Sequence, residues 1–293
     1  MSNYKEKERF MYTKQTVTFI SGLALLLLPY ISYAQCDARL NNIDHLFDDF
    51  DQYHALQKVD AKKQLRINVI NDEQCQLHII LTSENQAQLK GAFQSIAYQF
   101  RSDTQQLVSS SISRLQLVES AAEVELLIPS GTPVKAGLYT DRLQIKLYDQ
   151  NNQLLDERQL DIETDIAPRT SLSVLGYNTF ANTINLGELI PLQEYAMLPS
   201  LQVVTNSDVR LRVSSDNKGK LVHSMYQQQY AIDYNLDLAG NWLGLSQDTN
   251  KTFSYAGQTV FLLPLKIQLA DFKEQAAGEY SDTIRFQISP LNY

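Results

Sequence analysis

The residues able to do chemistry are few and widely spaced. Four histidines, His45, His54, His78 and His223, are scattered along a chain of 293 residues. A histidine acting as a base needs a partner group placed beside it. No Gly-x-Ser-x-Gly, His-Glu-x-x-His, phosphate-binding loop or Gly-x-Gly-x-x-Gly accompanies any of them. His78 lies in an alternating apolar stretch close to Cys75 and reads as a strand residue rather than a base. Two cysteines are too few for a Cys-rich zinc site. Asp48, Asp49 and Asp51 lack the glycine and closing glutamate of an EF-hand and read as a solvated acidic loop. The expectation is a non-enzyme with no cofactor and no metal.

Charge narrows the partners. The 25 Lys and Arg residues against 33 Asp and Glu leave a net charge of −8. An acidic chain without basic blocks argues against nucleic acid and against an anionic membrane surface. A 44% hydrophobic composition with 20% charged residues is that of a folded chain.

Residues 1–34 begin with Lys5, Lys7, Arg9 and Lys14, continue with an apolar run from Val17 to Leu28, and end in Ser32-Tyr33-Ala34. That order is the pattern of a secretory signal peptide, with cleavage expected after Ala34. Met11 opens a shorter version of the same pattern. The apolar run falls short of the ~20 residues that span a bilayer. Export to an oxidising compartment leads us to expect a Cys36–Cys75 disulfide.

The remainder is written twice. Ala136-Gly137-Leu138-Tyr139-Thr140-Asp141 matches Ala277-Gly278-Glu279-Tyr280-Ser281-Asp282 at an offset of 141 residues. Tyr98-Gln99-Phe100-Arg101 matches Tyr234-Asn235-Leu236-Asp237, and Leu65–Asn71 matches Leu201–Asn206. Leu77-His78-Ile79 is set against Leu211-Arg212-Val213. Blocks repeated in the same order predict two homologous domains, 35–166 and 167–293, joined near Ala167-Pro168.

Each unit alternates with period two. Leu143, Ile145 and Leu147 are separated by Gln144 and Lys146, and Ile284, Phe286 and Ile288 by Arg285 and Gln287. Such strands bury one face and wet the other, so the expected fold is all-β: two tandem Ig-like β-sandwich domains. Helical signals are weak, with a helix or loop at Asn42–Val59 and a single turn at Leu269–Ala277. Gly137 with Tyr139, and Gly278 with Tyr280, are expected to form structural tyrosine corners, each hydroxyl turned back onto nearby backbone. Met225, Tyr226 and Tyr230 are expected in the core, and Trp242 beside a turn.

Four stretches carry a resemblance. They are Leu186-Gly187-Glu188-Leu189, Leu201–Ser207, Arg212–Leu221 and Ala277–Asp282. In that order they resemble pilin-type domains, in particular the spore coat protein U-like subunits of Csu-type archaic chaperone–usher pili. The resemblance spans residues 168–293 and, from Leu65 onward, the first unit. The second unit has no Cys, unlike many such subunits. The resemblance implies a sandwich lacking its last strand. A periplasmic chaperone fills the gap, and then, at an outer-membrane usher, the N-terminal strand of the adjacent pilus subunit replaces it. A two-domain member of this kind resembles a tip adhesin exposed at the cell surface.

The residues test that implication. After the strand at 141–149, Leu154, Leu155, Leu160, Ile162 and Thr164 predict a further strand, so the first unit closes its own sandwich. The second unit is expected to lack this piece after its strand from Asp282 to Ser289. Its donor-strand groove is expected to be lined by Ile284, Phe286 and Ile288 on one side. Leu186 and Leu189, from a strand near Ile184–Leu189, would line the other. No free donor arm is expected ahead of Cys36, so the chain should accept a strand without giving one. Adhesion is expected to reside in the first domain. The alternative is a free-standing secreted module of two Ig-like domains that binds glycan or protein.

Overall fold

Leu65, Ile67 and Val69 are buried while the residues between them turn toward solvent, and this alternation recurs along most strands. The computed structural model describes residues 36–71, 75–102, 105–177 and 181–291. The expected signal peptide lies outside them.

In the N-terminal half the strands are β1 (Arg39–Asp48), β2 (Ala61–Ile70), β3 (His78–Ser83), β4 (Gln88–Lys90), β5 (Ser95–Ala97), β6 (Gln99–Arg101), β7 (Gln105–Ser109), β8 (Ile112–Gln116), β9 (Ala121–Ile128), β10 (Gly137–Tyr148) and β11 (Leu154–Ile166). One sheet has the order β1-β2-β9-β6. The facing sheet has the order β5-β4-β10-β3-β8-β7, with β11 on the far edge of β10. All pairings are antiparallel. The apolar faces of both sheets meet in one core around Leu65, Ile79, Leu126 and Ile145.

The C-terminal half holds β12 (Thr170–Val174), β13 (Glu194–Tyr195), β14 (Leu201–Thr205), β15 (Val209–Ser215), β16 (Lys220–His223), β17 (Gln227–Leu238), β18 (Asn241–Gly244), β19 (Thr249–Phe253), β20 (Val260–Leu263), β21 (Leu265–Leu269), β22 (Tyr280–Ser281) and β23 (Ile284–Pro290). They form the ladders β12-β14-β20, β13-β21-β17-β16-β22 and β19-β15-β23. A second core gathers around Leu201, Val213, Leu236 and Leu265. The fold is two tandem Ig-like β-sandwiches.

Asn206 is the joint between them. It is fully buried. Its Oδ1 accepts from Arg169 N at 2.6 Å and its Nδ2 donates to Ala167 O at 3.1 Å. Its backbone carbonyl accepts from Ala136 N at 2.8 Å. Lys135 adds an ion pair to Asp208 at 3.1 Å. One side chain thus holds the connecting segment, and its own backbone holds the first sandwich.

The structure corrects several expectations. Asn42–Val59 holds no α-helix: β1 runs through Asp48, and a single 3₁₀ turn follows at Phe50–Gln52. Register shifts between Leu40 and Ile43 and between His45 and Phe47 break the alternation that would have betrayed this strand. Leu269 ends β21, and no helical turn forms between it and Ala277. Ile184–Leu189 is irregular chain rather than strand. Met225 and Tyr226 stand exposed at a hairpin tip instead of in the core. The strand expected from Asp282 to Ser289 is interrupted at Asp282 and Thr283, between β22 and β23. Finally, Ser83 pairs with Leu143, and Ser215 with Ile284. These pairings equate Ile79 with Leu211, two residues away from the alignment read off the sequence. A slip of two leaves every side chain on the same face, so period-two patterning cannot detect it.

Candidate functional site

The late strand of each sandwich is anchored by the same set of side chains. The Tyr139 hydroxyl donates to Lys135 O at 2.7 Å, and the Tyr280 hydroxyl donates to Ala276 O at 2.7 Å. Each bond reaches back four residues, the arrangement of a tyrosine corner. Burial pushes the Tyr139 phenol up to about 12, with the nearby Tyr255 adding to the shift. Gly278 has φ +155, and a Cβ there would run into the His223 ring. The glycine therefore serves both the backbone turn and the imidazole packed on it. His223 is itself held by Met225 N and Tyr226 N, which donate to its Nδ1.

Two residues beyond each corner tyrosine lies an aspartate that collects donors. Asp141 Oδ2 accepts from Tyr98 OH at 2.7 Å and from Ser83 Oγ at 2.6 Å. Its Oδ1 accepts from Asn85 N at 3.1 Å. In the second sandwich Asp282 Oδ2 accepts from Tyr234 OH at 2.6 Å and from Ser215 Oγ, and Oδ1 from Asn217 N at 3.0 Å. Burial, reinforced by the neighbouring aspartate, raises both the Tyr98 and the Tyr234 phenols. The sequence repeat matches these tyrosines and aspartates between the units but does not connect them to each other. Their recurrence in both units is the signal that points to them.

Beyond these anchors the sandwiches diverge. β10 pairs with β3 and β4 on one edge and along its length with β11 on the other. Its inward residues Leu143, Ile145 and Leu147 are each 0% exposed. β23 pairs with β15, and β22 with β16. No strand pairs with the opposite edge of β22 or β23 among the described residues. Ile284, Phe286 and Ile288 alternate as their counterparts do, yet remain partly exposed. Three large apolar side chains are left half covered beside a row of backbone groups with no strand partner.

Leu186 and Leu189 are also partly buried against the second core. The irregular segment that carries them is tied down by Tyr195, whose hydroxyl donates to Glu188 O at 2.7 Å and accepts from Ile190 N at 3.3 Å. All five residues expected to line the groove therefore pack on one core. Cys36 and Cys75 are joined in a disulfide with Cα atoms 5.9 Å apart, linking the segments ahead of β1 and β3. His78 opens β3 and stacks on Tyr148, with ring centroids 5.5 Å apart. Trp242 follows the Ala239-Gly240 turn and is half exposed. Among the described residues no three His, Cys, Asp or Glu side chains come together as metal ligands would.

No protein-family model matches the chain, and no curated protein matches it in sequence. Among solved structures, it is similar to the chaperone–tip adhesion subunit pre-assembly complex from archaic chaperone–usher Csu pili of Acinetobacter baumannii. That similarity has 10% identity, covers 85% of this chain and 92% of the other, and has a TM-score of 0.38. It is also similar to CfaE, the adhesive subunit of CFA/I fimbria of enterotoxigenic Escherichia coli, with 13% identity, 89% and 80% coverage and a TM-score of 0.37. The Salmonella SafD adhesin is similar to a shorter part, with 14% identity, 44% coverage of this chain, 95% of the other and a TM-score of 0.30.

Proposed function

We propose that the chain is an adhesive subunit of a chaperone–usher pilus, placed at the tip, whose second sandwich accepts a strand from another polypeptide. The observation that carries this reading is the edge of β23. The first sandwich supplies the contrast within the same molecule: with β11 in place, the inward face of β10 is sealed. The second repeats the strand and the alternation without that partner among the described residues. An open edge beside an apolar slot is a hazard in a free protein and an asset in one that polymerises by strand addition.

In this reading residues 1–34 are a signal peptide removed on export, 35–166 form the adhesin domain and 167–293 the acceptor domain. A periplasmic chaperone occupies the groove first. At the usher the neighbouring subunit takes its place. Leu186 and Leu189 form the wall of the groove opposite Ile284, Phe286 and Ile288.

The joint at Asn206 lies at one end of the first sandwich, so its other end faces away from the fibre. Register places Arg39, Ile70, His78, Gln116, Ala121, Tyr148 and Leu154 at that outer end. Ile70, Val118 and Leu154 stand exposed there, and we assign surface contact to these loops.

The test is production of residues 35–293 alone, with a cognate chaperone, and with a strand fused behind Tyr293. The reading expects poor recovery alone and rescue in the other two cases. High stability of both sandwiches without any added strand would instead favour a free-standing secreted binding module. Deleting residues 35–165 without loss of attachment by assembled pili would remove the adhesin role from the first sandwich.

A further inference from the structure

In the first sandwich, opposite charges face each other across the seam between β10 and β11. Arg142 Nε meets Asp161 Oδ1 at 2.6 Å, and Lys146 Nζ meets Glu157 Oε2 at 3.5 Å. Both are direct cross-strand pairs on the outward face. The basic residues belong to the strand that corresponds to β23, and the acidic ones to the strand that closes the fold.

The second sandwich keeps this polarity one strand further in. On β15, Arg210 stands beside Ser289 of β23, and Arg212 beside Gln287. Together with Asp248 and Asn250 these four residues line a surface cleft of 340 Å³. Arg212 is engaged, its Nε donating to Asp248 Oδ2 at 3.1 Å. Arg285 is likewise paired, with Asp216. Arg210 is exposed, and its guanidinium has no ion-pair partner among the described residues. A strand added beside β23 would lie about 4.8 Å beyond it, and the short Ser289 side chain leaves Arg210 a path across.

The geometry points to a charge-reading acceptor, in which Arg210 pairs with a carboxylate on the outward face of the incoming strand, opposite Ser289. This rests on the strand-accepting reading and specifies the partner's chemistry: an extended segment, apolar on its inward face and acidic at that outward position. Because the pair lies at the rim, it tunes the choice among partners more than it adds to total affinity.

The test uses the full chain and three labelled synthetic peptides copying Leu154–Ile166 with leucine in place of Asp156 and Arg158, the two polar residues that face Leu147 and Ile145 on the inward side of β10. In the register of β10 and β11, Leu154 faces Tyr148, the counterpart of Ser289. That peptide position is set to Glu, Gln or Lys. At low salt the Glu peptide should bind about fivefold more tightly than the Lys peptide, with Gln between. The spread should shrink as salt rises. Arg210→Glu should invert the order and Arg210→Gln should level it. Equal binding of all three peptides to the unaltered chain overturns this inference while strand acceptance stands. Failure of all three to bind overturns strand acceptance, and this inference with it.

Discussion

Leu143 of β10 and Ile284 of β23 occupy the same rung of their sandwiches, each opposite a serine of the neighbouring strand, Ser83 and Ser215. Leu143 is sealed and Ile284 is half open. The difference lies on the far side. Leu160 of β11 pairs with Leu143, whereas among the described residues no strand is hydrogen-bonded to β23 on the side away from β15. Burying a large apolar side chain completely stabilises by about 1.5–3 kcal/mol. Three such side chains along β23 make strand addition worth several kcal/mol, on the scale of a domain's whole stability.

Fusing a copy of Leu154–Ile166, with leucine in place of the inward-facing Asp156 and Arg158, behind Tyr293 through a flexible linker should therefore raise the melting transition of the second sandwich by about 20 °C. The transition of the first sandwich should not move. Differential scanning calorimetry of the full chain reads both. An unchanged second transition would count against an open groove.

Asp141 and Asp282 gather the same donors, but Asp141 is buried and Asp282 is half exposed. Asp141→Ala takes the acceptor from two hydroxyls and two backbone N–H groups in a dry site and should cost about 3 kcal/mol. Asp282→Ala should cost about 1–2 kcal/mol, because water can replace part of what is lost. Urea unfolding midpoints would show the order. Equal losses would mean that solvent reaches both sites alike.

Asn206→Ala removes two hydrogen bonds to the connecting segment, each worth about 1 kcal/mol. Residues 167–169 should then open roughly thirtyfold more often. Arg169 is itself a tryptic site, so cleavage after it should accelerate by a similar factor while the apolar cores of both sandwiches remain intact. Unchanged cleavage would show that the Lys135–Asp208 pair and Pro168 hold the joint without this side chain.

Burial, with Arg114 nearby, lowers the pKa of His78, and Asp149 opposes the shift. In the unfolded chain the imidazole titrates near 6.5. As pH falls below that value the unfolded state takes up a proton that the folded state excludes, so stability falls with pH in this window. His78→Phe should preserve the stack on Tyr148 and flatten the loss. Thermal melts between about pH 7 and pH 5 would compare the two proteins. Parallel decline in both would assign the acid sensitivity elsewhere.

Much of the fold is legible in the order of residues. The two-fold repeat, the strand character of Leu143–Leu147 and Ile284–Ile288, and the paired corners at Tyr139 and Tyr280 follow from local pattern, because period two is written in adjacent residues. β1 is not legible, since its bulges break that period. Nor is the two-residue offset between β3 and β15, because an even slip keeps each side chain on its face. The exposure of Met225 and Tyr226 depends on where a hairpin tip ends up, which no local pattern encodes.

The order of apolar and polar residues by itself determined that this chain is all-β, duplicated and anchored twice by the same tyrosine. Only the tertiary structure decided that Asp141 meets Tyr98 and Ser83, that Asp282 meets Tyr234 and Ser215, and that Asn206 is the joint. It also decided that, of two late strands with the same alternation, β10 is paired along both edges and β23, among the described residues, along one. Alternation states which face of a strand is apolar. Whether that face is closed depends on a strand paired along its edge, and edge pairing is a long-range relation that the strand's own residues do not carry.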